Sequence, residues 1–243
     1  MEGIYQFAGT LIRIESLFDE VHTLCAGYRA EGEPEYSVKT TKEDIEFEKK
    51  KSAEEDTLEG KPIRLFPDSY LETLAVYRKI AVCLLEKNVL LFHGSAIALD
   101  GEVYLFTAKS GTGKSTHTRL WRKQFGSRAV MINDDKPLLR FFDDRIEVCG
   151  TPWDGKHHLS HNLSLPLKAI CLLERAETNS IREIGLQEAM PMLYQQTYRP
   201  EDVPSLVKTL ELVGKIGSLC RLYRLGCNTA PEAAIVSYEG MQN

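Results

Sequence analysis

The sequence predicts an α/β fold with one main domain, residues 88–243, preceded by a small β-rich region, residues 1–87, that ends in a helix. Two observations support this prediction. From Val89 onward, short apolar segments with strand character alternate with segments of helical periodicity, the pattern of a sheet covered by helices. The length of 243 residues suits one well-filled domain with an appendage, because domains run to about 100–200 residues.

Composition excludes several classes of protein. Hydrophobic residues make up 43% and charged residues 27% of the chain, as in ordinary globular proteins, so a disordered or fibrous chain is not expected. The net charge of −5 gives no reason to expect a nucleic acid or an anionic membrane as partner. The apolar runs are shorter than the about 20 residues that cross a bilayer, and no secretory signal pattern opens the sequence, so we expect a cytoplasmic protein.

The first region contains no recognisable chemistry. Residues 36–47 alternate apolar and charged positions, which predicts two short strands around Lys42 and Glu43. Residues 49–59 carry dense charge of both signs without apolar periodicity and are predicted to form an exposed loop. From Ser69, apolar residues recur at helical spacing as far as Leu85, which predicts a helix leading into the main domain.

The main domain begins with strands. Residues 89–92 and 95–99 are predicted as one interrupted strand, Asp100-Gly101 as a hairpin turn, and residues 103–107 as a buried strand. A loop, a helix and the apolar segment 129–132 follow, which completes a βαβ unit. The remaining elements are predicted as a hairpin at 138–142 and 145–149, a strand at 169–173, helices at 186–198 and 203–219, a strand at 221–225 and a closing helix at 231–238.

The most specific motif lies between the predicted strand 103–107 and the helix that follows it. Residues 108–116, AKSGTGKST, fit the phosphate-loop pattern GxxxxGK[ST] with alanine at the first position. Gly111 and Gly113 let the backbone N–H groups turn inward, Lys114 adds a charge at the β- and γ-phosphates, and Ser115 is placed to coordinate Mg²⁺. The predicted ligands are ATP and Mg²⁺, and the predicted nucleotide-binding residues are Ser110, Gly111, Thr112, Gly113, Lys114, Ser115 and Thr116. A plain glycine-rich turn would not explain a lysine followed by two hydroxyl residues.

Two adjacent carboxylates follow the next buried strand. Asp134 and Asp135 stand at its carboxyl end, the edge where α/β sheets bind their ligands. Two carboxylates allow one to hold the metal and the other to accept the proton of an attacking hydroxyl. We predict Asp134 as the metal ligand with Ser115, although the sequence does not rank the two aspartates as base. A turn or a helix cap before Lys136 is the alternative function of this pair.

Two further segments are weaker candidates. His93 ends an apolar strand, where a histidine is more often structural than catalytic. The segment 151–158, TPWDGKHH, contains a tryptophan and basic residues that suit either an acceptor site or simple packing. His157 and His158 are adjacent, which is unfavourable spacing for a metal pair.

The chain resembles the catalytic domain of HPr kinase/phosphorylase, whose P-loop fold is shared with phosphoenolpyruvate carboxykinases. The resemblance rests on His93-Gly94-Ser95, residues 108–116 and Asn133-Asp134-Asp135, about a quarter of the chain. It implies a mixed sheet, phosphoryl transfer from ATP to a serine hydroxyl, catalytic roles for Lys114 and the aspartate pair, and a role for His93 in orienting the carboxylate. The glycine-rich signature expected downstream in that family is absent from the sequence, so HPr itself is not the expected acceptor.

These inferences give one main functional hypothesis and two alternatives. We expect an ATP-dependent, Mg²⁺-dependent kinase that phosphorylates a serine-type hydroxyl of a protein, a peptide or a small molecule. A nucleotide-sensing module without transfer chemistry is the first alternative, and a carboxykinase acting on oxaloacetate is the second. The sequence leaves open the acceptor, the preference for ATP or GTP, phosphorolysis and the oligomeric state, a homo-oligomer included.

Overall fold

The computed structural model describes residues 1–58, 60–155 and 157–242. The chain forms two compact units, Met1–Leu84 and Leu85–Asn243. Both contain helices and strands, which confirms the α/β class. No helix in the described part of the chain is long and apolar enough to cross a membrane.

The first unit contains a three-stranded sheet. Its elements are β1 (Glu2–Phe7), β2 (Thr10–Glu15), α1 (Glu20–Leu24), β3 (Tyr36–Lys39), α2 (Lys42–Leu58) and α3 (Asp68–Leu85). Strands β1 and β2 form an antiparallel hairpin, and β3 pairs with β2 in parallel. The hairpin turn, Ala8-Gly9, has positive φ at both residues, which matches the right-handed twist of the paired strands.

A buried carboxylate stabilises the first unit. Glu72 of α3 is fully buried, and its two oxygens accept hydrogen bonds from the N–H groups of Leu17 and Phe18 at 2.7 and 2.8 Å. The hydroxyl of Thr40 donates a third hydrogen bond at 2.5 Å. Since a buried charge is costly without such partners, Glu72 fixes the segment after β2 and the end of β3 against α3.

The prediction for residues 42–58 is wrong. The structure has one 17-residue helix, α2, where the sequence predicted a second strand followed by an exposed loop. The helix packs through charges: Glu48 accepts from Arg78 of α3 at 2.6 Å, and Asp44 accepts from Lys79 at 2.7 Å. Because charged pairs contribute to its contact with α3, the sequence of α2 shows little apolar periodicity.

The described residues of the second unit form a mixed sheet of nine strands. The strands are β4 (Val89–Leu91), β5 (Ser95–Leu99), β6 (Glu102–Thr107), β7 (Ala129–Asn133), β8 (Leu138–Phe141), β9 (Ile146–Cys149), β10 (Ser164–Arg175), β11 (Ser180–Ile184) and β12 (Arg221–Cys227). The helices are α4 (Lys114–Phe125), α5 (Leu186–Gln195), α6 (Val203–Leu219) and α7 (Glu232–Gly240). The mixed sheet confirms the coarse fold prediction.

Helices cover both faces of this sheet. Alternate residues of β6, β10 and β12 enter two apolar clusters, because successive side chains of a strand point to opposite faces. One cluster contains Leu193 of α5 together with Leu212 and Ile216 of α6. The other contains Trp121 of α4 and Ala234 of α7. The core therefore consists of two apolar layers, one on each face of the sheet.

One strand prediction in this unit is wrong. Residues 89–92 and 95–99 are not one interrupted strand, because β4 pairs with β8 whereas β5 lies between β6 and β7. The chain changes direction at His93-Gly94, where the two N–H groups donate to the carbonyls of Gln196 and Asp135. A Cβ at position 94 would lie 3.0 Å from the Phe106 carbonyl oxygen, so this close approach favours glycine.

Candidate functional site

Strand directions bring the predicted site residues to one edge of the sheet. Strand β5 is antiparallel to both β6 and β7, so β6 and β7 run in the same direction. Strand β10 is parallel to β6, and β12 is parallel to β10. The carboxyl ends of these four strands therefore share one edge with the amino end of β5, and the phosphate-loop residues, the aspartates and His93 all follow or precede strands at that edge.

The predicted phosphate loop leaves β6 and enters α4 through two glycines with positive φ. Gly111 has φ of 75° and Gly113 has φ of 128°, values that other residues adopt only with strain. Helix α4 begins at Lys114, directly after Gly113, and its first intrahelical bond joins the N–H of His117 to the Gly113 carbonyl. Gly113 offers no side chain to cap the helix, so no side chain accepts the first-turn N–H groups, which lie at the positive end of the helix dipole.

Lys114 is half-buried beside this loop. Its ammonium donates to the carbonyl oxygen of Ala108 at 3.1 Å, which folds the side chain back over the loop. Burial lowers the pKa of Lys114, and the charges of Asp135 and Asp134 offset part of that shift. The lysine thus lies within electrostatic range of both aspartates, although they follow a different strand.

Asp134 is buried and held by hydroxyl groups. The Ser95 hydroxyl donates to Oδ1 of Asp134 at 2.5 Å, and the Thr118 hydroxyl lies 2.9 Å from that of Ser95. Thr118 is one helical turn after Lys114, so this chain of hydroxyls connects Asp134 to the first turn of α4. Gly155 packs beside the carboxylate, since a Cβ there would lie 3.2 Å from Oδ2.

Asp135 is more exposed and pairs with His93. Nε2 of His93 lies 3.1 Å from Oδ1 of Asp135, and the two side chains are 39% and 34% exposed. Burial raises the pKa of Asp135, but the hydrogen bond from His93 and the charges of Lys136, His93 and Lys114 outweigh it, so the net pKa is lowered. Asp135 is therefore a carboxylate at neutral pH.

Asn133 shapes the turn that separates the two aspartates. Its Oδ1 accepts the N–H groups of Asp135 and Lys136 at 2.8 and 2.6 Å. Its amide nitrogen donates to the carbonyl and the hydroxyl of Thr151, each at 3.0 Å. Because Asn133 is fully buried, this turn is fixed, and the two carboxylates differ in environment: one buried against Ser95, the other accessible beside His93.

The donor set suits the predicted magnesium ion. The exposed Ser115 hydroxyl and the Asp134 carboxylate are hard oxygen ligands, and Mg²⁺ binds through one or two carboxylates, substrate phosphates and water. Within the described residues, no three His, Cys, Asp or Glu side chains form a metal cluster. His158 instead lies 2.9 Å from Asp154, and Trp153 is buried. Lys156 of the same segment lies outside the described residues.

Three residues near the loop had no predicted role. Ser95 occurs in the His93-Gly94-Ser95 motif, but its bond to Asp134 depends on the position of β5. Arg175 ends β10, and its guanidinium donates to the Gly111 carbonyl at 2.5 Å. His117 lies buried one turn into α4. The sequence signal for Arg175 is its position at the carboxyl end of a buried strand, the edge where α/β sheets bind their ligands.

Comparisons with known proteins give little further information. No protein-family model matches the chain, and no curated protein does. Among solved structures, the chain is similar to the HPr(Ser) kinase/phosphatase from Coxiella burnetii, at 13% identity and a TM-score of 0.30. The match covers 50% of this chain and 87% of that one. A likeness of this size carries no argument about the site, so the functional proposal depends on the geometry described above.

Proposed function

We propose that the chain is a P-loop phosphotransferase that moves the γ-phosphoryl group of ATP, with Mg²⁺, to a serine-type hydroxyl. The observation that carries the proposal is the convergence, at one sheet edge, of the phosphate loop with Lys114 and of two carboxylates in different environments. A glycine-rich turn with only a structural role would need no such carboxylates beside it.

Each group has a distinct task. The N–H groups of the loop and the ammonium of Lys114 bind the phosphates and neutralise charge in the transition state. Ser115 and Asp134 would hold Mg²⁺, which would neutralise part of the charge on the phosphates. Ser95 fixes the orientation of Asp134 through its 2.5 Å hydrogen bond.

Asp135 is assigned as the base. It is ionised at neutral pH, it is accessible, and the hydrogen bond from His93 orients it. The acceptor hydroxyl oxygen forms a bond to the γ-phosphorus, and its proton passes to the Asp135 carboxylate. The bond from the γ-phosphorus to the β,γ-bridging oxygen breaks, and that oxygen leaves on ADP with the electron pair. The buried Asp134 is less suited to this task because one of its oxygens is already bound to Ser95.

Phosphoryl transfer is tested with γ-labelled ATP, Mg²⁺ and candidate acceptors: free serine and serine-containing peptides. The wild-type protein should give a labelled acceptor, and chelation of Mg²⁺ should stop it. Asp135→Asn should abolish transfer and leave ATP binding, measured by titration calorimetry, within about threefold. Asp143→Asn is the matched control, because Asp143 is an exposed aspartate in the turn between β8 and β9.

The outcomes separate the hypotheses. Absence of ATP binding by the wild type would refute the proposal altogether. ATP binding without a labelled product beyond slow hydrolysis would favour the nucleotide-sensing module, and decarboxylation of oxaloacetate would favour the carboxykinase. Equal turnover by the wild type and Asp135→Asn would remove Asp135 as the base.

A further inference from the structure

A cleft of about 380 Å³ opens beside the phosphate loop. One wall is formed by the loop and the first turns of α4, including Gly111, Thr116 and His117, and the other by the segments that follow β10 and β12. The volume lies in the range of small-molecule sites, about 300–1,000 Å³. Because loop residues line it, the cleft is continuous with the phosphate-binding backbone.

The cleft lies on the opposite side of the loop from the aspartates. Residues 169–172 of β10 pair with both β6 and β12, so in this part of the sheet the strand order is β12, β10, β6, β5, β7. The loop follows β6, in the middle of this order. The cleft lies at the ends of β10 and β12, whereas Asp134 and Asp135 follow β7 at the other end.

The walls of the cleft are mostly apolar. Leu120 and Leu173 are buried side chains, and Ala176 and Cys227 add partly buried apolar surface. Arg175 lies at the rim, where its guanidinium donates to loop carbonyls. The cleft is also lined by polar side chains, those of Thr112, Thr116, His117, Asn228 and Thr229. Apolar walls with such polar groups suit a nucleoside, which combines a planar ring system with hydroxyl groups.

His117 supplies a buried polar atom at this cleft. It is 2% exposed, and its Nε2 lies 3.0 Å from the Ser237 hydroxyl oxygen. That oxygen accepts the indole N–H of Trp121 at 2.8 Å, while its own hydrogen is donated to the Ala234 carbonyl. The indole N–H of Trp121 also lies 3.2 Å from Nε2 of His117, so Ser237 and Trp121 engage Nε2 whichever ring nitrogen carries the hydrogen.

The other ring nitrogen is a polar atom without a partner. Nδ1 of His117 is buried and has no hydrogen bond to any described residue. Burial lowers the pKa of His117 to about 4, so the ring is neutral at physiological pH and Nδ1 offers either a lone pair or one hydrogen. An unsatisfied buried polar atom is costly, and a complementary hydrogen-bonding group of a ligand would satisfy it.

We infer that this cleft binds the nucleoside part of the nucleotide, and that Nδ1 of His117 forms a hydrogen bond with that nucleoside. The inference rests on the proposed function, in which ATP binds at the loop. It places the base and ribose on the side of the loop away from the aspartates. A triphosphate that starts in the cleft then runs along the loop, with its γ-phosphate toward Asp134 and Asp135.

The first test compares ATP with inorganic tripolyphosphate, which has no nucleoside. Thr229→Trp fills the cleft from an exposed lining position, and Val203→Trp places the same side chain on an exposed part of α6. In titration calorimetry, Thr229→Trp should weaken the binding of ATP at least tenfold and the binding of tripolyphosphate less than twofold. Val203→Trp should change neither. Unchanged ATP affinity in both Thr229→Trp and a second cleft-filling variant, Cys227→Phe, would overturn the inference.

The second test addresses His117 itself. His117→Phe keeps a ring of similar size but removes Nδ1, and Ser237→Ala removes the partner of Nε2 while leaving Nδ1 in place. His117→Phe should weaken ATP about fivefold to thirtyfold without weakening tripolyphosphate, and Ser237→Ala should weaken neither. Equal effects of the two variants on ATP, or equal losses of ATP and tripolyphosphate in His117→Phe, would reduce His117 to a packing residue.

The wild-type protein separates this inference from the proposed function. If it binds ATP no more tightly than tripolyphosphate, the cleft contributes nothing and the inference is wrong, while phosphoryl transfer from ATP remains open to its own assay. If it binds neither compound, the proposed function itself fails.

Discussion

Acidification from pH 7 to pH 5 is expected to destabilise the second unit by about 2 kcal/mol through His117 alone. Burial lowers the pKa of this side chain from 6.5 to about 4 in the folded protein. In the unfolded chain the ring regains its ordinary pKa and takes up a proton near pH 6.5. The contribution of the neutral ring to the unfolding free energy is therefore fully present above about pH 6.5 and is lost as the pH falls toward 4.

The magnitude follows from the two pKa values. A difference of about 2.5 pKa units corresponds to roughly 3 kcal/mol once the pH is well below 4, at 1.36 kcal/mol per unit. At pH 5 the unfolded chain is almost fully protonated at this site and the folded protein is about one-tenth protonated, so about 2 kcal/mol of that loss has occurred. For an unfolding free energy of about 5–15 kcal/mol, this is a measurable fraction.

The assay is urea denaturation at pH 7 and pH 5, followed by tryptophan fluorescence. Both tryptophans belong to the second unit, and Trp121 lies against His117 with its indole nitrogen 3.2 Å from Nε2. Between pH 7 and pH 5, the unfolding free energy of His117→Leu should fall by about 2 kcal/mol less than that of the wild type. His157→Leu, which removes an exposed histidine, should follow the wild type. Identical pH dependence of the wild type and His117→Leu would show that the folded protein does not keep His117 neutral.

Three further predictions follow from individual contacts. Glu72→Ala should destabilise the first unit by about 3 kcal/mol and speed amide exchange at Leu17 and Phe18, since their N–H groups lose a buried acceptor; the exposed Glu46→Ala should do neither. Arg175→Ala should weaken ATP about tenfold in calorimetry because the loop carbonyls lose a charged donor, and unchanged affinity would contradict a role in positioning the loop. Ser95→Ala should lower kcat at least tenfold with little change in the KM for ATP, as Asp134 loses its orienting hydroxyl; a proportionate rise in KM would argue against that role.

The glycine-rich turn between β6 and α4 could be predicted because its signal is local, while its role as a phosphate loop stays a prediction. Nine consecutive residues contain the glycines, the lysine and the hydroxyl groups, and the flanking strand and helix are visible in the same stretch. The hairpin turn at Asp100-Gly101 was predictable for the same reason, since positive φ at both residues favours that pair. Local backbone requirements thus appear directly in the residue types.

Helix α2 could not be predicted, because its contact with α3 is ionic. Arg78 and Lys79 of α3 bind Glu48 and Asp44, and neither partner creates the apolar periodicity on which the prediction relied. Charged residues in such a pattern resemble an exposed loop until the partner helix is known.

By itself, the sequence determined the glycine-rich turn before α4, the candidate pair of aspartates and the alternation of strands and helices. Each of these is encoded by residues close together in the chain. Only the tertiary structure decided that β5 lies between β6 and β7, which brings Ser95 to Asp134 and gives the two aspartates different environments. It also placed Arg175 on the loop and left Nδ1 of His117 without a partner. The bonds from Ser95 to Asp134 and from Arg175 to Gly111 join residues 39 and 64 positions apart, and strand order, which a single sequence does not record, determines which residues meet.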